Sequence, residues 1–148
     1  MRTSILSISL ALLVTLYAAP SYAELGGSVN KDATPLQTQN SVVAIQASLN
    51  SYQLKLPSGT QIKEFTNASG VVVAVSWQGP TLPDLKGLLG NYFDAFVNRA
   101  DAATGNHRNA DLHTDDLVVQ SHGQLRAFSG RAYLPKLLPA GFNVNQIQ

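Results

Sequence analysis

Cysteine is absent from this chain of 148 residues. That excludes disulfide scaffolds, thiolate metal centres and cysteine nucleophiles. Charge is scarce as well: Asp, Glu, Lys and Arg make up 13% of the chain, against about 25% in an average domain. Ten basic residues stand against nine acidic ones, a formal charge of +1, which provides no basic surface of the kind that drives nucleic-acid binding. Internal repeats, heptads and low-complexity tracts are missing too. The length suits one compact domain with a tail and leaves little room for a second.

One long apolar run is present, and it lies at the start. Arg2 supplies a positive charge, Ile5 to Ala19 carry none, Pro20 breaks any helix, and Ser21-Tyr22-Ala23 puts small residues where a signal peptidase needs them. The run is short of the roughly 20 residues that cross a bilayer as a helix. Residues 1–23 therefore read as a secretory signal peptide cut between Ala23 and Glu24. No cysteine follows that would carry a lipid, so the expectation is a periplasmic or secreted chain without a stable membrane anchor. Arg2 is the one charge in the leader, and residues 24–148 are neutral overall.

Residues 24–50 hold Gly26-Gly27, Pro35 and many polar side chains without a sustained apolar period, and read as an N-terminal arm, poorly ordered in part. Within it, residues 41–50 suit a strand or a short helix equally. The domain proper is expected over 51–148. Tyr52–Leu56 and Thr60–Thr66 alternate as strands around the turn Pro57-Ser58-Gly59, and Asn67-Ala68-Ser69-Gly70 has hairpin-loop composition. Val71–Trp77 is apolar on both alternating sets, as a strand covered on both faces should be. After Gln78-Gly79-Pro80, Thr81 is placed to cap a helix, with Asp84 three residues on. Leu85, Leu88, Leu89, Tyr92, Phe93, Phe96 and Val97 then form one continuous helical stripe. Residues 100–115 read as a polar surface loop. Two further strands, 116–121 and 124–129, are expected to pair across a His122-Gly123 turn, followed by an extended, docked tail with Asn143 capping a last helical turn. The sum is an α+β fold: an antiparallel sheet of about five strands (three strands, one amphipathic helix, two strands) with the helix packed on one face.

Several blocks carry a resemblance. Leu56-Pro57-Ser58-Gly59-Thr60, Val75-Ser76-Trp77-Gln78-Gly79-Pro80, Pro83-Asp84-Leu85 through Leu89-Gly90-Asn91-Tyr92-Phe93, and Asp116 to Ser121 resemble the DUF2844 family. Ala127-Phe128-Ser129-Gly130-Arg131-Ala132-Tyr133-Leu134-Pro135, the later Leu138-Pro139-Ala140-Gly141 and the early Leu25-Gly26-Gly27 do so as well. The resemblance implies export from a Gram-negative cell and a shared fold. It brings no activity and no catalytic residue with it.

The groups that could carry chemistry are few. His107, Asp111, His113, Asp115 and Asp116 include zinc-ligand types, but their spacing is not that of one helix face, and solvated loop residues account for them. No metal or cofactor is expected. Ser121 or Ser129 with His122 and Asp116 would be the raw material of a hydrolase, but no nucleophile elbow is present. Among acids in defined elements, Asp84 is claimed by the helix start and Glu64, beside Lys63, reads as a strand exterior. Two features stand apart. Trp77 ends a strand just before the helix, where Tyr92, Phe96 and Phe128 could join it around an apolar pocket. In a hairpin turning at His122-Gly123, Val119 faces Arg126 and Leu117 faces Phe128, with Arg131 beyond. That mix of basic and aromatic groups suits a shallow anion or partner site, although an arginine with a buried stem and a solvated head is the plainer reading. The functional expectation is an exported, non-enzymatic protein that binds another envelope or secreted component. The alternatives are a small apolar-ligand carrier using a helix–sheet pocket and, more weakly, a hydrolase.

Overall fold

The computed structural model describes residues 24–36, 49–103 and 109–148. The leader, residues 41–48 and His107 lie outside the described residues.

Seven strands form one antiparallel sheet: β1 (Thr34–Pro35), β2 (Asn50–Lys55), β3 (Gln61–Thr66), β4 (Val72–Gly79), β5 (Ala110–His113), β6 (Val118–Gln124) and β7 (Ala127–Tyr133). Their spatial order is β1-β2-β3-β4-β7-β6-β5. The first four strands advance as a meander. The chain then crosses to the far edge through α1 (Leu85–Leu89), a 3-10 turn (Gly90–Tyr92) and α2 (Phe93–Ala103). From there β5, β6 and β7 return until β7 pairs with β4. β4 thus sits in the middle, and Val72 to Trp77 are all buried, as a strand covered on both faces requires.

The expectation of five strands is overturned, because β1 and β5 add two. β5 lies inside the segment read as a polar loop. Ala110 and Leu112 are buried there while Asp111 and His113 are exposed, an alternation of four residues too brief to stand out from its surroundings. β1 is two residues long and includes Pro35, which a strand tolerates only at an edge. Helix on one face of an antiparallel sheet, the α+β architecture, holds.

The last hairpin is also corrected. Its turn is Leu125-Arg126, not His122-Gly123, since Gln124 pairs with Ala127 and Gly123 with Phe128. Val119 therefore faces Ala132 rather than Arg126, and Ser121 faces Gly130. The partner shifts by six residues, so Val119 keeps its face; what changes is its neighbour, and Val119 packs with Ala132 and Leu112 in the core instead of with a charged arginine. The cost falls on the turn, where Arg126 takes φ 62°, a conformation glycine or asparagine adopts more easily.

The helix starts later than the Thr81 cap suggests. Asp84 is the cap, its carboxylate accepting from the Lys86 N–H at 3.0 Å. Proline disfavours helical backbone in the residue before it, so Pro83 delays the start. Thr81 serves elsewhere: the Thr60 hydroxyl donates to its carbonyl at 2.8 Å. The apolar stripe survives the break at Gly90. Leu85, Leu88, Leu89 and Phe96 are buried against Ile62, Val75, Trp77, Val119, Ala132 and Leu134 of the sheet and its continuation, and Tyr92, Phe93 and Val97 pack at the margin.

Of the segment read as an arm, residues 24–36 lie along this helix-covered face. The Leu25 N–H donates to the Leu88 carbonyl at 3.0 Å, and the Gly26 N–H to that of Val72 at 2.8 Å. Leu25 is 1% exposed.

The second face is covered over half its width by the C-terminal segment. A bulge between Phe65 and Thr66 leaves Val73 without a partner opposite it in β3. Val73 and Ala74 then join Leu49, Phe65 and Ile147 in a smaller cluster bordered by Tyr133, Leu138, Phe142 and Val144. A 3-10 turn at Val144–Gln146 brings Ile147 down, and the Asn143 side chain caps it by accepting from the Asn145 N–H. The C-terminal segment is thus docked over this second cluster.

Candidate functional site

What the tail leaves uncovered is the site. Side chains alternate across a sheet, so the pairs Ser76–Arg131 and Arg131–Gln120 define one rung on the second face. Gln78–Ser129 and Ser129–His122 define the next. These six polar side chains, from β4, β7 and β6, floor a groove of about 480 Å³ walled by Asn145, Ile147 and Gln148 of the tail. Rungs of this kind place neighbours about 4.8 Å apart across the strands and about 7 Å apart along them.

Hydrogen bonds fix the guanidinium and its amide neighbour on this floor. Arg131 is half-buried, and its Nε–H donates to Gln120 Oε1 at 2.7 Å while Nη1 donates to the Val144 carbonyl at 2.9 Å. Lys63, opposite Ser76 on β3, donates to the main-chain oxygen of Gln148 at 2.7 Å. Gln120 Nε2 lies 3.4 Å from His113 Nε2, so β5 also takes part in holding the amide. No Asp or Glu side chain lines the groove.

A histidine, a hydroxyl and an acid do meet on this face. His122 is the cross-strand neighbour of Ser129, and its Nε2 lies 4.0 Å from Asp111 Oδ1. They are not assembled for nucleophilic catalysis, which needs nucleophile and base within about 3 Å. The imidazole and the carboxylate are each more than half exposed, and Ser129 and His122 share no hydrogen bond among the described residues. The other hydrolase candidates are dispersed. Ser121 is buried on the opposite face, and Asp116 pairs with Lys136 at 2.6 Å in an exposed turn. Among the described residues no group of three His, Asp or Glu side chains converges as metal ligands would.

The residues singled out from sequence occupy different places. Trp77 and Phe96 are buried in the helix–sheet core, with Tyr92 at its margin. The Trp77 ring lies over Gly130, where an added Cβ would sit 2.5 Å from Trp77 Cε2 and from the Gln120 carbonyl oxygen. Phe128 stands apart at the end of the sheet, lining a shallow recess of about 380 Å³ with Arg126 and Pro80. Arg126 is exposed at the hairpin tip. Of the six, Trp77 and Arg131 border the groove, and of these two Arg131 has its side chain on the groove's face of the sheet, the indole lying in the opposite core. Glu64 reverses its expectation: it is fully buried on the helix-covered face, with Oε2 accepting from the Asn30 N–H at 3.1 Å and Oε1 left without a partner. Burial pushes its carboxyl above the ordinary carboxylate value, an effect the Asn30 hydrogen bond partly offsets. Ser76, Gln78 and Gln120 were not singled out. Their signal is the polar member of each alternating pair in β4 and β6, which a correctly placed hairpin turn would have lined up with Ser129 and Arg131.

Fold and groove together define a class: a small antiparallel sheet protein with a helix on one face, a tail across half of the other, and a polar recess between tail and sheet edge. Residues 21–147 match the model of DUF2844, described as a protein family of unknown function. The chain belongs to that family. No curated protein matches it, and no solved structure does.

Proposed function

We propose that the chain is the precursor of an exported protein, periplasmic or secreted, that binds another envelope or secreted component through the polar groove and performs no chemistry on it. The leader pattern in residues 1–23 supports export. Glu24 and Leu25 support the cleavage point, because both belong to the folded domain: Glu24 Oε1 accepts from the Asn91 N–H at 3.2 Å, and Leu25 is bonded to Leu88. Cutting ahead of Glu24 leaves these bonds intact.

The observation that carries the binding reading is the groove itself. Three adjacent strands present hydroxyl, amide, imidazole and guanidinium groups side by side, and the guanidinium and one amide are fixed by mutual and tail hydrogen bonds. Polar groups fixed in an open recess recognise a ligand at low entropic cost. The spacing and exposure of Ser129, His122 and Asp111 argue against turnover.

The test is a photo-reactive residue at Gln78, in the groove, compared with one at Lys86, exposed on α1. In cells, the recovered protein should have the mass of a chain beginning at Glu24 and should yield an adduct from position 78 that position 86 does not give. A protein retaining Met1, or identical adducts from both positions, overturns the reading.

A further inference from the structure

Arg131 is held but not neutralised. Its two protein acceptors, Gln120 Oε1 and the Val144 carbonyl, are both uncharged. A guanidinium has five N–H donors, so three remain without a protein acceptor among the described residues. No described Asp or Glu pairs with it. On its own rung the nearest acid is Asp111, two strands away beyond Gln120 and 4.0 Å from His122 Nε2. On the other side Lys63 lies two strands away beyond Ser76. The rung thus reads Lys63, Ser76, Arg131, Gln120, with two cations about 10 Å apart and no Asp or Glu between them; Lys63 is engaged by the main-chain oxygen of Gln148, whereas Arg131 has only its two neutral acceptors. A partly buried charge without a counter-charge is costly, and here the vacant side of the charge faces the groove.

We propose that this groove binds a hydroxylated carboxylate of the uronic-acid type, with Arg131 as its anchor. The proposal rests on the binding reading above and names its ligand class. Arg131 presents the remaining N–H groups of Nη1 and Nη2 as a fork, the geometry that matches a carboxylate in a bidentate pair. Around it, Ser76, Ser129, Gln78 and Gln120 supply neutral donors and acceptors at ring-sized spacing, which suits hydroxyl groups on a saccharide. An extended peptide fits less well. β4 and β7 pair on both sides, so the floor has no free strand edge to which a peptide could add, and Ile147 is the single apolar side chain in the wall.

Nuclear magnetic resonance titration of the exported form tests this, with galacturonate, galactose, inorganic phosphate and a short oligogalacturonide as probes. Galacturonate should shift the amides of Gln120 and Ser129 to Arg131 saturably, and galactose should bind at least about tenfold more weakly for want of the ion pair. Tighter binding of the oligomer assigns the source to an acidic glycan, and equal binding assigns it to a free sugar acid. Arg131→Lys should weaken binding by about tenfold, since a point charge replaces the fork. Arg131 also holds the tail, so the decisive variant is Gln120→Glu. It keeps the Nε–H acceptor in place, supplies the counter-charge internally and should abolish binding with the melting transition retained. Phosphate binding as tight as galacturonate, or Gln120→Glu binding unchanged, overturns the proposal. If no probe binds while position 78 still yields its adduct in cells, the ligand class is wrong and the binding reading stands. If neither occurs, both fail.

Discussion

Gly130 offers the sharpest test of how the sheet is packed. The residue lies between Trp77 on β4 and Ser121 on β6, and a Cβ there would point at the indole on the helix-covered face. At 2.5 Å from both Trp77 Cε2 and the Gln120 carbonyl oxygen, it is closer than real Cβ contacts allow, and neither neighbour yields easily. Trp77 is 2% exposed, and Gln120 is main chain paired on both sides. Overpacking of this kind costs about 1–3 kcal/mol, and the crowding on two sides argues for the upper part of that range. Against it stands the loss of freedom in the unfolded chain, which favours Ala over Gly by about 0.4–1 kcal/mol. The net expectation for Gly130→Ala is about 2 kcal/mol of destabilisation, or a fall in Tm of roughly 6–12 °C for a domain of this size. Trp77 is the sole tryptophan, so its fluorescence reports on the site directly in a urea or thermal melt. Native emission should also shift as the ring is displaced. Trp77→Leu should reduce the cost of the alanine only in part, because the carbonyl contact remains. Gly70→Ala is the control: its Cβ meets nothing within 4 Å but its φ is 77°, so it should cost about 1 kcal/mol from backbone strain alone and leave native emission unchanged. A Gly130→Ala protein with wild-type midpoint and spectrum would refute the placement of β7 against β4.

Two other substitutions probe the faces separately. Glu64 is buried with a raised carboxyl pKa, so the folded state keeps a proton that the unfolded chain releases. Its contribution to stability is full below the ordinary carboxylate value and is lost as pH rises towards the folded one. Glu64→Gln should therefore flatten the dependence of the urea midpoint between pH 4 and 7 and match or exceed the wild type at pH 7; lower stability with an unchanged slope would count against it. On the second face Ile147 is 1% exposed over Phe65, Val73 and Ala74, and Ile147→Ala should cost about 2–4 kcal/mol. Because the tail supplies the groove wall, the same variant should weaken any ligand of the groove, and a change below 1 kcal/mol in the melt would mean the tail is not docked.

How much of this was legible in the sequence varied with the length of each pattern. β4 announced itself through six consecutive buried residues, and the helix through seven apolar positions in one stripe. Both are long enough for the period to outweigh local exceptions. The Asn143 cap was readable because the preference is chemical rather than periodic. β5 was hidden by brevity, and β1 by its proline. The hairpin turn was misplaced because His122-Gly123 has favourable turn chemistry whereas Leu125-Arg126 has none. Tertiary burial of Val119 and Ser121 overrode the local preference. Once that turn moved by three residues, every cross-strand partner in β6 and β7 moved by six while each side chain kept its face, which is why Arg131 was noticed but its neighbours Ser76 and Gln120 were not. Glu64 was misread for a related reason: an acid beside a lysine looks like a strand exterior until residues 24–36 are laid over it.

The sequence blocks that mark the family are accounted for by packing almost everywhere. In Leu56–Thr60, Gly59 takes φ 89° so that Leu56 and Thr60 can pair, and the Thr60 hydroxyl ties the turn to Thr81. Gly79 is glycine because a Cβ would lie 2.8 Å from that of Thr60. Gly130 seats Trp77, the Leu134 N–H donates to the Val73 carbonyl at 2.9 Å, and Leu25 closes onto Leu88. Each of these features would be needed by any protein built this way, whatever it did. Arg131 belongs to the same run of residues and is the exception. Its stem and its two bonds to neutral acceptors explain why a long side chain sits there, but a neutral side chain could satisfy both. Its charge satisfies nothing within the described structure. A fold that resolves its other motifs into contacts and leaves one half-buried guanidinium without a counter-charge, facing the open recess, has that charge available for something outside itself.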